Sequence, residues 1–425
     1  MIDDHPQRYA LVNELHARPF PSLDLPCHVV YFAVKQPVDA HNRDRAEDRA
    51  HLLGLLDRHG AAHPPEGATH HAARIGRHDL KWESHTEFVT YSAFGKGVGE
   101  RAFNPAEAEV FPADWMASAP GKRIAAILIR VEPLPENLVA VKSRLEEWFV
   151  PESMACSWVL DETAIIAGDF QIDPAGQMRF AIFARPGTGA RRIGRIVQRL
   201  CEIETYRAMS MLGLGRAREL NKHLNALDPK LSDLVATMSD KGRDAEDTLH
   251  ELLEISAALE AQAVRHAFRF GAAGAYEALV NQRVEVLRET RFNGRQTFAE
   301  FMMRRYDPAM RTVKSAERRL EQMAERAERA GELLQTRVDV ERSAQNQKLL
   351  ESMDRRADLA LRLQHTVEGL SVVAISYYAV NLAAYAAYPV MEPLGMSKGL
   401  MTALLTPAVI LLVWLSIRRI RKGMH

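Results

Sequence analysis

Read for the spacing of its apolar positions, the chain changes period from one end to the other. Two stretches near the C-terminal end carry no charged side chain: residues 369–390, GLSVVAISYYAVNLAAYAAYPV, and residues 399–417, GLMTALLTPAVILLVWLSI. Each approaches the ~20 residues a helix needs to cross ~30 Å of hydrocarbon. Arg355, Arg356, Arg362 and His365 precede the first run, and Arg418, Arg419, Arg421 and Lys422 follow the second. The connection, residues 391–398, holds only Glu392 and Lys398 as charged groups. Positive charge on both outer flanks predicts a transmembrane hairpin with both ends in the cytosol. In the first crossing Ser371, Tyr378, Asn381 and Tyr385 follow steps of seven, three and four, which places them on one helical face. Such a face suits interhelical hydrogen bonds or the lining of a pore. The second crossing is greasier, with Pro407 as a kink and Trp414 near the cytosolic interface.

Before the first crossing the period is helical for a long way. Asp307-Pro308 reads as a helix start, an acceptor at the N-cap followed by proline at the first position. Met310, Val313, Leu320, Ala324, Ala327, Leu334 and Val338 then alternate three–four steps, with Glu317 and Gly331 in two further core-type positions. A renewed stripe runs through Leu350, Met353, Ala357 and Leu361. The pattern predicts a stalk helix over 307–368 that packs on other helices and feeds the bilayer. Upstream, residues 189–227 and 230–269 read as two helices separated at Asp228-Pro229, with breaks at Gly271 and Gly274 and a turn at Asn293-Gly294.

The first 186 residues read differently. Strand-like stretches fall at 28–34, 69–75, 79–82, 87–94, 123–131, 164–170 and 178–184, and helical ones at 40–59 and 135–149. Hairpins mixed with crossovers predict an α+β domain, a sheet of α/β type covered by helices. The expected organisation is a cytosolic α/β domain (1–186), a helical layer (187–306), the stalk (307–368), two crossings (369–390 and 399–417) around a short external loop (391–398), and a basic tail (418–425).

Composition narrows the function. Of 425 residues, 55 are basic and 55 acidic, and this neutrality speaks against a dedicated nucleic-acid binder. Three cysteines without a CxxC pair, Cys27, Cys156 and Cys201, exclude a disulfide scaffold and a thiolate zinc site. The opening MIDDHPQRYA shows no secretory pattern. FGKGVGE, residues 94–100, has three glycines but neither the Lys-Ser/Thr of a phosphate loop nor dinucleotide spacing, and reads as a turn. No Gly-x-Ser-x-Gly and no His-Glu-x-x-His occurs.

Histidine is the anomaly. Eleven of sixteen lie in the first 85 residues, His28, His70, His71 and His78 among them. Glu14, His16 and Arg18 stand close together near the N-terminal end, and Glu83, His85 and Glu87 alternate so as to share one strand face. The six suit a divalent cation or, through Arg18, an anionic effector.

Four segments together resemble one bacterial family, the domain-of-unknown-function proteins described as uncharacterised membrane-anchored proteins: HPQRYALVNELHARPF, LKWESHTEF, FAEFMMRRYDPAMRT and LLESMDRRADLALRLQHTVEGLSVVAISYYAVN. The resemblance implies a cytosolic domain anchored in a bacterial inner membrane and brings no catalytic residues. The architecture is also similar to that of the CorA-type divalent-cation channels, which implies a homo-oligomer with the first crossing lining a pore. Their external Gly-Met-Asn signature is met here only by Gly395-Met396, with Ser397 in place of asparagine. Three readings follow: a membrane-tethered regulatory or scaffolding protein without catalysis of its own, its protein partners unnamed; a CorA-like homo-oligomeric ion conduit in which Glu392 concentrates cations at the mouth; and an enzyme with its site at His16, Arg18, Glu83 and His85.

Overall fold

A computed structural model describes residues 3–14, 19–37, 42–238, 240, 243–391 and 397–423. The chain divides into two compact units, Met1–Asp240 with His250–Ala330, and Lys241–Leu249 with Gly331–His425.

The first unit is built on a sheet. Its elements in chain order are α1 (Arg8–Glu14), β1 (Cys27–Lys35), α2 (Arg45–Arg58), β2 (His70–Ile75), β3 (His78–Ser84), β4 (Phe88–Lys96), α3 (Ala113–Ala117), β5 (Lys122–Pro133), α4 (Leu138–Trp148), β6 (Ala155–Val159), β7 (Ala164–Ile172) and β8 (Met178–Ala184). The helices α5 (Ala190–Thr237) and α6 (Ala245–Glu285), the short β9 (Thr290–Arg291) and α7 (Phe298–Phe301) follow. Strand order is β2-β3-β4-β1-β5-β8-β7-β6-β9. β5 and β8 pair in parallel and the other described pairs are antiparallel.

Strand alternation sorts side chains to two buried faces. Val30, Phe32, Leu80, Trp82, Val89 and Tyr91 meet Leu52, Leu55 and Leu56 of α2, Trp115 of α3 and Val141 and Leu145 of α4 in one apolar cluster. The other face meets α5, as in the 2.7 Å hydrogen bond between the Tyr31 and Thr205 hydroxyls. Each such side chain, fully buried, contributes about 1.5–3 kcal/mol.

Several helix boundaries differ from expectation. α5 runs through Pro229 instead of stopping there. A proline inside a helix costs ~3 kcal/mol, and here Asp228 accepts from Arg319 and Arg326 at 3.0 and 2.9 Å while Leu231 and Leu234 are buried beyond it. α6 likewise passes through Gly271 and Gly274, where Phe270 and Ala273 are buried. The long helix α8 (Asp307–Met391) starts at Asp307-Pro308 as expected, but with helical residues already in front of it instead of a free N-cap. Thr297 and Glu300 form a reciprocal capping box before α7, a π-helical turn (Met302–Tyr306) leads on, and Asp307 is itself helical. Within the first unit Met310, Val313, Leu320 and Ala327 of α8 are buried as expected. Glu317 is half-buried, and desolvation raises its pKa.

In the second unit α8 is followed by α9 (Lys398–Gly423), which continues as helix beyond the predicted end of the second crossing. Ser376, Val380 and Ala384 of α8 and Met401 of α9 are buried, whereas Leu350, Met353 and Leu361 are exposed. Two helical stretches, Phe298–Pro389 and Lys398–Arg419, contain a run long and apolar enough to cross a membrane.

Candidate functional site

Residues 19–23 cross the start of α5 as a strap. The Leu23 N–H donates to the Ala190 carbonyl at 3.1 Å. Under Phe20 and Pro21 lies a cavity of about 280 Å³, floored by β1, β3 and β4 and roofed by α5. On the other side of the strap a wider cleft of about 920 Å³ runs along β2 and β3, and Phe20, Pro21, Lys81 and Phe94 line both spaces.

The smaller cavity is polar in an ordered way. Lys81 Nζ is 3.2 Å from Glu83 Oε1 and donates to Gln198 Oε1 at 3.1 Å. Gln198 Nε2 donates to Glu202 Oε1 at 2.7 Å, and Arg283 closes the chain on the other Glu202 oxygen. Two cations and two carboxylates thus neutralise one another around a space that also holds Tyr31, Thr90, Ser92 and Thr205. Pairing is what permits such charges to be buried. Desolvation holds the Tyr31 phenol and the Cys201 thiol well above their ordinary values, so both stay protonated and Cys201 is not a thiolate nucleophile. The walls offer donors, acceptors and the phenylalanine rings of Phe20, Phe88 and Phe94 to a small polar guest.

Of the residues singled out in the sequence, Glu83 and His85 line this cavity. Glu87 does not join them. β3 ends at Ser84 and β4 begins at Phe88, so 85–87 form the turn and the expected alternation along one strand face fails. His85 stacks on Phe88 with ring centroids 4.4 Å apart. Glu87 is buried elsewhere, bonded by Arg269, approached by Lys35 Nζ at 3.9 Å and by the Tyr276 hydroxyl at 3.2 Å. Burial, then the Arg269 cation, lowers the pKa of Lys35. Glu83 and Glu87 are each committed to their own cations, and the described residues contain no group of three metal-type ligands. The side chain of Glu14, with His16, Arg18, Glu392, Gly395 and Met396, lies outside the described residues. Sequence reasoning missed Lys81, Gln198, Glu202 and Arg283. Only the step of two from Lys81 to Glu83 was a local signal.

The polar face of the first crossing is also divided. Tyr378 and Tyr385 are 68% and 71% exposed, whereas Asn381 lines the groove against α9 with Ser376 and Thr402 and donates to the Tyr377 carbonyl at 3.1 Å.

Fold and site together define an α+β domain with a small polar cavity, extended by long helices and a C-terminal pair of membrane-length helices. A family model described as a protein of unknown function (DUF3422) matches residues 3–424, and the chain belongs to that family. No curated protein matches it.

Proposed function

We propose that the chain is a membrane-tethered regulatory or scaffolding protein, held in a bacterial inner membrane by α9 and the last turns of α8, with the sheet domain on the cytosolic side. One observation carries the reading. Large apolar side chains crowd the surface of the second unit, with Leu370, Val373, Leu382, Leu404 and Leu412 all more than half exposed. The sheet domain buries its apolar faces and keeps a small polar cavity, which suits a soluble effector. Basic residues flank the apolar windows on both outer sides, which supports the cytosolic orientation. Alkaline extraction of membranes tests the tether. The full chain should stay in the pellet, and protease should reach the sheet domain only in inverted vesicles. Release into the supernatant overturns the reading.

A second reading is a homo-oligomeric conduit for cations. It is favoured by Ser371, Tyr378 and Tyr385, which repeat every seven residues about half a helical turn from the Ser376–Val380–Ala384 side that is buried. Polar groups turned away from the helix hairpin need another partner in a bilayer. The likeness to CorA-type channels rests on architecture alone.

A further inference from the structure

The cavity beneath the strap has wall groups that the protein itself does not use. Lys81 on β3, Ser92 on β4 and Tyr31 on β1 stand in one cross-strand row, and Glu83 stands opposite Thr90 in the neighbouring row. Cross-strand partners point their side chains to the same face, and all five line the cavity. Thr90 and Ser92 are 3% and 7% exposed, yet neither hydroxyl has a hydrogen-bond partner among the described residues. A hydroxyl both donates and accepts, and a buried one left unbonded is destabilising. Two of them side by side on a cavity wall call for a guest.

The charged groups of the wall are already spent. Glu83 and Gln198 hold Lys81 at 3.2 and 3.1 Å, and Glu202 holds Arg283. Two cations thus balance two carboxylates. An ionic guest would have to break one of these pairs, and a zwitterion two, which strands the partner left behind. An uncharged guest leaves both pairs intact. It can still donate to Glu83, because a carboxylate accepts at two oxygens.

Size and shape narrow the guest further. A cavity of ~150 Å³ takes benzene, so the 280 Å³ beneath the strap takes about a dozen non-hydrogen atoms. Along the cavity face of β4 the two hydroxyls are bracketed by the rings of Phe88 and Phe94. Such a wall matches a saturated ring with apolar C–H faces and a rim of O–H groups. We infer that the cavity binds an uncharged polyol of monosaccharide or cyclitol size. The inference deepens the regulatory reading, on which it rests for the guest's role as effector.

The test is calorimetric titration of the full chain in a detergent without a sugar headgroup. The probes are D-glucose, D-galactose, D-ribose and myo-inositol, set against glycine as a zwitterion and inorganic phosphate as an anion. The expected result is saturable binding of at least one polyol with a dissociation constant of ~1 mM or tighter, and none of glycine or phosphate. Thr90→Val and Ser92→Ala should each weaken it about tenfold, and Ser343→Ala on the exposed part of α8 should leave it unchanged. No saturable binding of any of the four polyols by the unaltered chain overturns the inference, whether or not any variant folds. Binding that both cavity variants retain, or saturation by glycine or phosphate instead, overturns it too. The titration is made in detergent, so its failure leaves the membrane tether standing, and release on alkaline extraction would leave the binding standing.

Discussion

The carbonyl oxygen of Pro21 lies 1.7 Å from the position a β-carbon on Gly194 would occupy. The strap over the cavity therefore rests on bare backbone at the start of α5. Gly194→Ala should lift the strap and destabilise the domain by about 1–3 kcal/mol, the usual penalty of overpacking. Chemical denaturation measures the loss, and faster exchange of the Leu23 amide would report the displaced strap.

Glu87→Gln is expected to be the most damaging single change of charge. It leaves Lys35 and Arg269 buried without the carboxylate charge they share among the described residues, and Arg269 Nη1 already has no hydrogen-bond partner there. Breaking a buried pair in this way costs about 3–5 kcal/mol. Equilibrium unfolding of the variant beside Arg269→Met would separate the lost pair from the stranded cation.

His51 makes stability pH-dependent. Its Nε2 donates to the Trp115 carbonyl at 2.9 Å and its Nδ1 accepts from the Tyr91 hydroxyl at 2.9 Å, with the ring stacked 4.0 Å from Trp115. Burial lowers its pKa, so below ~6.5 the unfolded chain takes up the proton first. Stability from this group is present above that pH and is lost as pH falls through the lower folded value. His51→Gln should flatten the slope of unfolding free energy between neutral and mildly acidic pH; an unchanged slope would exonerate His51.

Vesicles carrying the purified chain should show no divalent-cation flux above that of empty vesicles, as a tether requires. Flux that Tyr378→Leu abolishes and Asn381→Leu spares would establish the conduit instead, because Tyr378 faces outward and Asn381 faces the groove.

The elements legible in the sequence were those whose period was intact. The uncharged runs at 369–390 and 399–417 stand out by length alone, and the stretch 28–34 is the centre of β1. β6 escaped because all five of its residues, Ala155 to Val159, are buried, which erases the alternation that marks a half-exposed strand. Pro229 misled because tertiary contacts at Asp228 outweigh a local breaker. The cavity was half visible. Glu83 drew notice beside His85, but its link to Gln198 and Glu202 runs through Lys81 to a helix more than a hundred residues away, and no local spacing announces that. Thr90 and Ser92 read only as part of the strand at 87–94 until register set them against Glu83 and Lys81.

The far edge of the sheet bears on how the chain is made. β6 finds its last partner only in Thr290 and Arg291, where Ser157 bonds Glu289 and Trp158 meets Phe292 edge-on at 5.8 Å. During synthesis that edge stays open while α5 and α6 are still being translated. An unpaired apolar strand held in waiting is a template for association between nascent chains. Residues 290–291 therefore cover an edge that stays open to association until they emerge.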